Sequence, residues 1–181
     1  YSTAANSSGG RAALFLDGAS SNTITGVTAT NALAAGNAVR IENGGYNTVS
    51  QSSVSALGAG SAAFYLSGSS FNAVTQSYIL GGSYGLYAGA SDSNTVTNSY
   101  LWGGDDGVRL NTGSDSNVIS FSTMIGQGGK GFYSIAADSN VVADCVLWGG
   151  SYGAFLDSGS DYNVMSRCSI QGGSDGVFLN N

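Results

Sequence analysis

Read for apolar and polar positions, the chain repeats one short alternating pattern from end to end. In Gly107–Ser120, GVRLNTGSDSNVIS, apolar Val108 and Leu110 alternate with polar neighbours, and a polar turn then leads to Asn117 and apolar Ile119. Counterparts of Asn117 stand at Asn22, Asn47, Asn72, Asn94, Asn140 and Asn163, so the seven are spaced by 25, 25, 22, 23, 23 and 23 residues. Self-similarity at such a period marks a stacked-repeat fold. Two residues after each asparagine the position is apolar every time: Ile24, Val49, Val74, Val96, Ile119, Val142 and Met165. Five after it come Val27, Ser52, Ser77, Ser99, Ser122, Cys145 and Cys168, all small, and seven after it Ala29, Val54, Ile79, Leu101, Met124, Leu147 and Ile170. A Gly-rich corner such as GGSYG, GGDDG or GGSDG then turns the chain into a third run, with inward pairs such as Phe64/Leu66, Leu86/Ala88 and Val108/Leu110. Alternation with period 2 in all three runs predicts strands.

Three short strands per repeat, stacked like upon like, predict an all-β chain: a single parallel β-helix of about seven to eight coils of 22–25 residues. At ~4.8 Å between neighbouring strands the stack forms a rod roughly 35 Å long. Residues 11–181 supply the coils, and residues 1–10, YSTAANSSGG, read as an irregular lead-in or cap. Helices are excluded by the absence of a 3.6-residue period and by the abundance of Gly and β-branched residues. A β-propeller would need blades of about 40 residues. The recurring asparagines read as a structural ladder, each buried amide bonding to its neighbours above and below.

Composition narrows the function. With 181 residues there is room for one domain. Only 9% of residues are charged, yet 42% are hydrophobic and periodically placed, which excludes disorder. The net charge of −6, the absence of His and the scatter of Arg11, Arg40, Arg109, Lys130 and Arg167 exclude a nucleic-acid backbone as partner. No apolar run approaches the ~18 residues of a membrane span. The chain begins at Tyr1 without a signal peptide, which suggests a processed or excised product. With so few Lys and Arg, an extracellular or cell-surface setting is expected.

The pattern S-x-N-x-V-x-x-S-x-I-x-G-G-x-x-G-V-x-L, running through residues 11–181, resembles the right-handed parallel β-helix repeat. That repeat occurs in pectate lyases, polygalacturonases, alginate-modifying enzymes, phage tailspikes and bacterial surface proteins. The resemblance implies the fold and leaves the function open among these. Asp105-Asp106 resembles the paired aspartates of polygalacturonases, which protonate a glycosidic oxygen and activate water. The Gly-His-Gly and Arg-x-Lys motifs of that family are missing, and other copies of the turn read Ser83-Tyr84, Ser151-Tyr152 and Ser174-Asp175. The pair therefore reads as a corner, no catalytic residue is assigned, and the reading leans away from an enzyme. A pectate-lyase-like calcium site would use the column Asp92, Asp115, Asp138 and Asp161. Stacked carboxylates repel by about 1 kcal/mol in water, and either backbone N–H groups of the turn or Ca²⁺, the one cofactor considered, offsets this. Thr23/Thr25, Thr48/Ser50, Ala73/Thr75 and Thr95/Thr97 resemble the flat threonine face of β-helical antifreeze proteins, which makes ice binding a third reading.

The alternation also turns Tyr65, Tyr87, Tyr133, Phe155 and Phe178 outward on the third run, and Tyr78, Tyr100, Trp102 and Trp148 outward on the second. With Arg40 and Arg109 the charged members of the third-run column, aromatic columns carrying so few charges mark an interface with another copy, with a larger β-helix or with sugar rings. Cys145 and Cys168 share one inward column in successive coils and are expected to touch, as free thiols or as a disulfide. The terminal run GGSDGVFLNN lacks Pro, Lys or a capping helix, so end-on stacking of coils is expected there. Taken together, a self-assembling structural β-helix, a subunit of a fibre, sheath or surface array, is the first reading. A polysaccharide-binding or polysaccharide-degrading module is the second.

Overall fold

The structure, a computed structural model, describes residues 2–6 and 12–180. Among the described residues it is all-β, with every strand pairing parallel. Each coil places one strand in each of three sheets. Sheet I contains Ser2–Asn6, Val27–Asn31, Ser53–Ala56, Tyr78–Gly81, Tyr100–Gly103, Thr123–Gly126, Val146–Gly149 and Ser169–Gly172. Sheet II contains Leu14–Asp17, Val39–Glu42, Ala62–Ser67, Tyr84–Gly89, Asp106–Asn111, Lys130–Ile135, Tyr152–Asp157 and Asp175–Asn180. The short strands of sheet III run from Thr23–Thr25 to Val164–Ser166. The result is a β-solenoid of about eight turns.

Register puts like residues over like. Val54, Ile79, Leu101, Met124 and Leu147 stack in one inward column of sheet I. Phe64, Leu86, Val108, Phe132 and Ala154 do so in sheet II. These columns and Val49, Val74, Val96, Ile119 and Val142 of sheet III meet in one core, with Phe64, Phe132, Ile79 and Leu101 fully buried. Each large aliphatic or aromatic side chain so buried stabilises the coil by ~1.5–3 kcal/mol.

The corners are where sequence and backbone geometry are most tightly tied. Between sheets III and I the turn is a single left-handed residue in every coil: Gly26, Gln51, Gln76, Asn98, Phe121, Asp144 and Arg167, with φ between 49° and 66°. Just after it a small side chain points inward, and Ser52, Ser77, Ser99 and Ser122 form a ladder. Each Oγ donates to the carbonyl two residues before it and accepts the N–H of its counterpart in the preceding coil at 3.1–3.2 Å. The asparagines occupy the corner between sheets II and III. The Asn72 N–H and Nδ2 both reach Asn94 Oδ1 at 2.8 and 3.0 Å, and the arrangement repeats from Asn22 through Asn117. Asn140 hands its N–H on to Asn163 Oδ1 at 2.8 Å.

The corner between sheets I and II sets the coil length. In the later coils it is a tight turn, GG-x-x in all but the one that reads Gly126-Gln127-Gly128-Gly129: a side chain on Gly103 would come within 1.9 Å of the Asp106 carbonyl oxygen. The two 25-residue coils spend longer loops there, residues 32–38 and 57–61, ahead of Val39–Glu42 and Ala62–Ser67. One expectation is corrected at the N-terminal end. Ser2–Asn6, placed in the irregular lead-in, is a strand that pairs in register with Val27–Asn31. Its side chains are too small to signal alternation, and the open edge of the next coil orders it. The rest of residues 1–10, with Arg11 and Asn181, lies outside the described residues.

Candidate functional site

The outer face of sheet II gathers most of the described charge that is positive. Arg40, Arg109 and Lys130 all project from it, and each lies between aromatic rings. The Arg40 guanidinium is 5.7 Å from the Phe15 ring centre and 5.1 Å from that of Tyr65. Arg109 lies 5.5 Å from Tyr84 and 5.0 Å from Tyr133, while Lys130 Nζ is 4.5 Å from Tyr133 and 5.6 Å from Phe155. Strand pairing produces this order: Tyr65, Tyr87 and Arg109 are successive rungs of one column, followed by Tyr133, Phe155 and Phe178. A second column carries Tyr84, Asp106, and then Lys130, Tyr152 and Asp175. Cation–aromatic contacts of this kind contribute ~0.5–2 kcal/mol each, and more when shielded from water.

Polar partners fix these groups further. Arg40 pairs with Glu42. Arg109 Nη1 donates to the Tyr84 hydroxyl at 3.3 Å and stands 3.9 Å from Asp106 Oδ2. Asn111 Nδ2 donates to the Tyr87 hydroxyl at 2.8 Å, and the Tyr133 hydroxyl donates to Asp157 Oδ2 at 3.1 Å. Asp106 is buried, its Oδ1 accepting the Lys130 N–H at 3.0 Å. Burial raises its carboxyl above the ordinary range, against the opposing pull of that N–H and of the Lys130 and Arg109 charges. Burial likewise pushes the Tyr133 phenol up, and the hydrogen bond to Asp157 adds to it. Asp157 itself is held low, first by Asn180. Among the described residues neither Arg40 Nε nor Arg109 Nε, both buried atoms, has a hydrogen-bond partner.

Across the second to fourth strands of this face a groove of about 290 Å³ is lined by Arg40, Tyr65, Tyr84 and Tyr87, with Asn37 and Gly60 from the longer corner loops forming its wall. The site thus combines a recessed floor of phenol edges with guanidinium and ammonium groups already oriented by stacking. Chemically it can bind carboxylates bidentately through arginine and hydroxyls through Asn, Asp and Tyr.

The interface aromatics read from the sequence divide between two faces. Tyr65, Tyr87, Tyr133, Phe155 and Phe178 belong to sheet II, and Tyr78, Tyr100, Trp102 and Trp148 to sheet I. Most of the ring faces are taken by neighbours: Tyr65 stacks on Tyr87 at 5.3 Å, Tyr78 on Tyr100 at 4.9 Å, and Phe155 on Phe178 at 5.1 Å. What these ladders offer a ligand is ring edges and hydroxyls. Lys130, Tyr84, Asn111 and Asn37 were not singled out from the sequence. Tyr84 and Lys130 sit where the corner becomes a strand, and only the register of Tyr84 with Asp106 reveals that they share the face.

The acidic column lies elsewhere, at the corner between sheets II and III. Asp92 Oδ1 accepts the Asp115 N–H at 3.0 Å, Asp115 Oδ1 that of Asp138 at 2.7 Å, and Asp138 Oδ1 that of Asp161 at 2.8 Å. The carboxylates stand one per rung, and those of Asp92, Asp115 and Asp138 are each tied to the next coil's backbone. Among the described residues no three His, Cys, Asp or Glu side chains gather as a metal site. Asp105 is exposed in its turn, away from this column. Cys145 and Cys168 continue the serine ladder as free thiols, donating to the Ala143 and Ser166 carbonyls at 3.1 and 3.3 Å. Burial pushes the Cys145 thiol up to about 11.

Comparison with known proteins agrees with this architecture. The family profile described as "Right handed beta helix region" matches residues 12–170. No protein of curated function matches the sequence. Among solved structures, the A-module of the mannuronan C-5 epimerase AlgE6 of Azotobacter vinelandii is similar, with a TM-score of 0.61 and 14% identity. The match covers 95% of this chain and 55% of that one, so the chain spans about half the length of that relative. An alginate lyase from Paenibacillus sp. str. FPU-7 aligns with a TM-score of 0.46 and 12% identity over 94% of this chain and 87% of its own. Among the described residues no helix is long and apolar enough to cross a membrane.

Proposed function

The chain belongs to the right-handed β-helix family, and from that premise we propose that it binds an extended, carboxylate-bearing polysaccharide along the outer face of sheet II. One observation carries this reading: in a chain of net charge −6, three cations project from one face, each held between aromatic rings, and one of them, Arg40, lines a groove. A uronate chain laid along the rod meets a new rung every ~4.8 Å, with Arg109 and Lys130 for its carboxylates and Asn111 and Tyr87 for its hydroxyls. The epimerase carries polysaccharide chemistry in its name but shares only the fold with this chain. An extracellular or cell-surface location goes with such a ligand. Calorimetric titration with hexagalacturonate and hexamannuronate tests the reading. Binding should weaken with added salt, and Arg109→Ala and Lys130→Ala should each weaken it about tenfold. Absence of binding to either, or indifference to both substitutions, removes it.

A second reading, self-association into a fibre or sheath, is favoured by sheet I. From Tyr78 to Gln171 its outward residues, among them Leu80, Tyr100, Trp102, Ile125 and Trp148, include no charged side chain. Light scattering at high protein concentration tests it, with Trp102→Ser and Trp148→Ser expected to shift any assembly toward monomer. The sheet III face, where Thr95 gives way to Val118, Val141 and Val164, supports no ice-binding proposal.

A further inference from the structure

Around the left-handed corner between sheets III and I lies an open trough of about 750 Å³, on a different side of the rod from the sheet II face. Two lines of side chains border it. On one side the left-handed backbone of Gln51, Gln76 and Asn98 turns three carboxamides outward, one per coil. On the other stand Tyr78 and Tyr100, stacked at 4.9 Å and 14°. Exposed Phe121 closes one end. Beyond the two tyrosines a second hollow of about 320 Å³ is lined by Leu57, Leu80 and Trp102.

We propose that this trough binds a neutral oligosaccharide. Its hydrogen-bonding groups are largely unspent. Gln51 Nε2 reaches Gln76 Oε1 at only 3.4 Å, and Asn98 Nδ2 meets Thr97 Oγ1 at 3.2 Å. Among the described residues neither phenol hydroxyl, nor Gln51 Oε1, Gln76 Nε2 or Asn98 Oδ1, has a protein partner. Paired donors and acceptors repeating at each rung, ~4.8 Å apart, match a ligand whose hydroxyls both donate and accept along its length. The apolar hollow beside Trp102 suits the C–H face of a pyranose.

Charge and backbone exclude the alternatives. No ionisable acid or base except the two phenols lines the trough. The next cation along the corner column, Arg167, is tied bidentately to Asp144 at 2.6 and 2.7 Å. A polyanion therefore has nothing to pair with. A peptide cannot add as a strand, because the backbone here is saturated: Gln76 and Asn98 donate to Thr97 and Ser120, and Tyr78 and Tyr100 to Ser52 and Ser77. Recognition must come from amides, hydroxyls and ring edges.

The test titrates the whole chain calorimetrically with cellohexaose, xylohexaose, mannohexaose and chitohexaose, with hexaglutamine as the peptide arm. At least one neutral hexasaccharide is expected to bind, and saturating hexagalacturonate should leave that binding in place. The double variant Gln51→Gly/Gln76→Gly keeps the left-handed backbone, so its melting temperature should not fall, while its affinity drops about tenfold for two lost hydrogen bonds. Tyr100→Phe, which removes only a hydroxyl, should show a smaller loss. The proposal is overturned if none of the four binds at concentrations on the order of 1 mM. It also falls if binding survives the double variant, if hexagalacturonate displaces the sugar, or if only the peptide binds. Loss of the sheet II reading alone leaves each of these outcomes unchanged.

Discussion

Ala90 and Ala136 hold φ of 47° and 46° at a corner where Gly68 and Gly113 do the same work in other coils. A Cβ in this region costs ~1–2 kcal/mol, against a smaller entropic cost for glycine. Ala90→Gly and Ala136→Gly should therefore each stabilise the protein by about 0.5–1 kcal/mol, read as a higher melting temperature. Asp106 makes the opposite kind of demand. Burial raises its folded-state pKa above the unfolded value, so the native state holds the extra proton between the two. The stability tied to that proton is complete below the unfolded pKa and is lost as pH rises through the folded one. Asp106→Asn is neutral throughout, so the variant should gain on the parent chain as pH climbs from about 3.5 to 7. Melting curves across that range check it, and a difference independent of pH would show that the carboxyl carries no such cost.

At the level of strands and ladders, the asparagine column behaves as one element. Asn117 Oδ1 receives the N–H and Nδ2 of Asn94, and its own Nδ2 donates to Ser114 O and Asn140 Oδ1. Asn117→Ala strands these buried groups together and should cost about 3 kcal/mol in urea unfolding. Glycine acts by absence: a Cβ on Gly107 would stand 2.6 Å from the Ile125 nitrogen and 2.7 Å from the Gly131 carbonyl oxygen. Gly107→Ala must push neighbouring coils apart, at about 3 kcal/mol. How much of this was legible follows from the same physics. Strands announce themselves through alternation that each coil repeats, so the inward columns, the outward aromatics and the stacked asparagines could be read directly. Corners cannot be read so, because a left-handed Gln76 or Phe121 is set by the coil above and carries no local mark. Ser2–Asn6 escaped for want of large side chains. The grouping of Arg109 with Tyr84 and Lys130 escaped because it joins residues 25 and 21 apart, and only register brings them together.

For the molecule as a whole, each coil touches only its neighbours, so stability is a sum over coils and their shared interfaces. The central coils bury Phe64, Leu101, Met124 and Phe132 completely, whereas Val177 and Leu179 of the last coil are 48% and 67% exposed. Amide hydrogen exchange should accordingly be slowest in Ala62–Ser67 through Lys130–Ile135 and fastest in Asp175–Asn180; uniform protection along the rod would mean that the coils open together. The direction of the hydrogen bonds has a mechanical consequence. Strands run across the rod, so the bonds between them lie along it. Tension between the two ends of the rod loads those bonds head-on, one coil interface at a time, instead of shearing many at once. Each interface that gives way frees a coil of 22 to 25 residues, or about 75–85 Å of slack chain. Under steady pull the rod would lengthen in nearly equal steps, spending work at every step while the coils still stacked kept their shape.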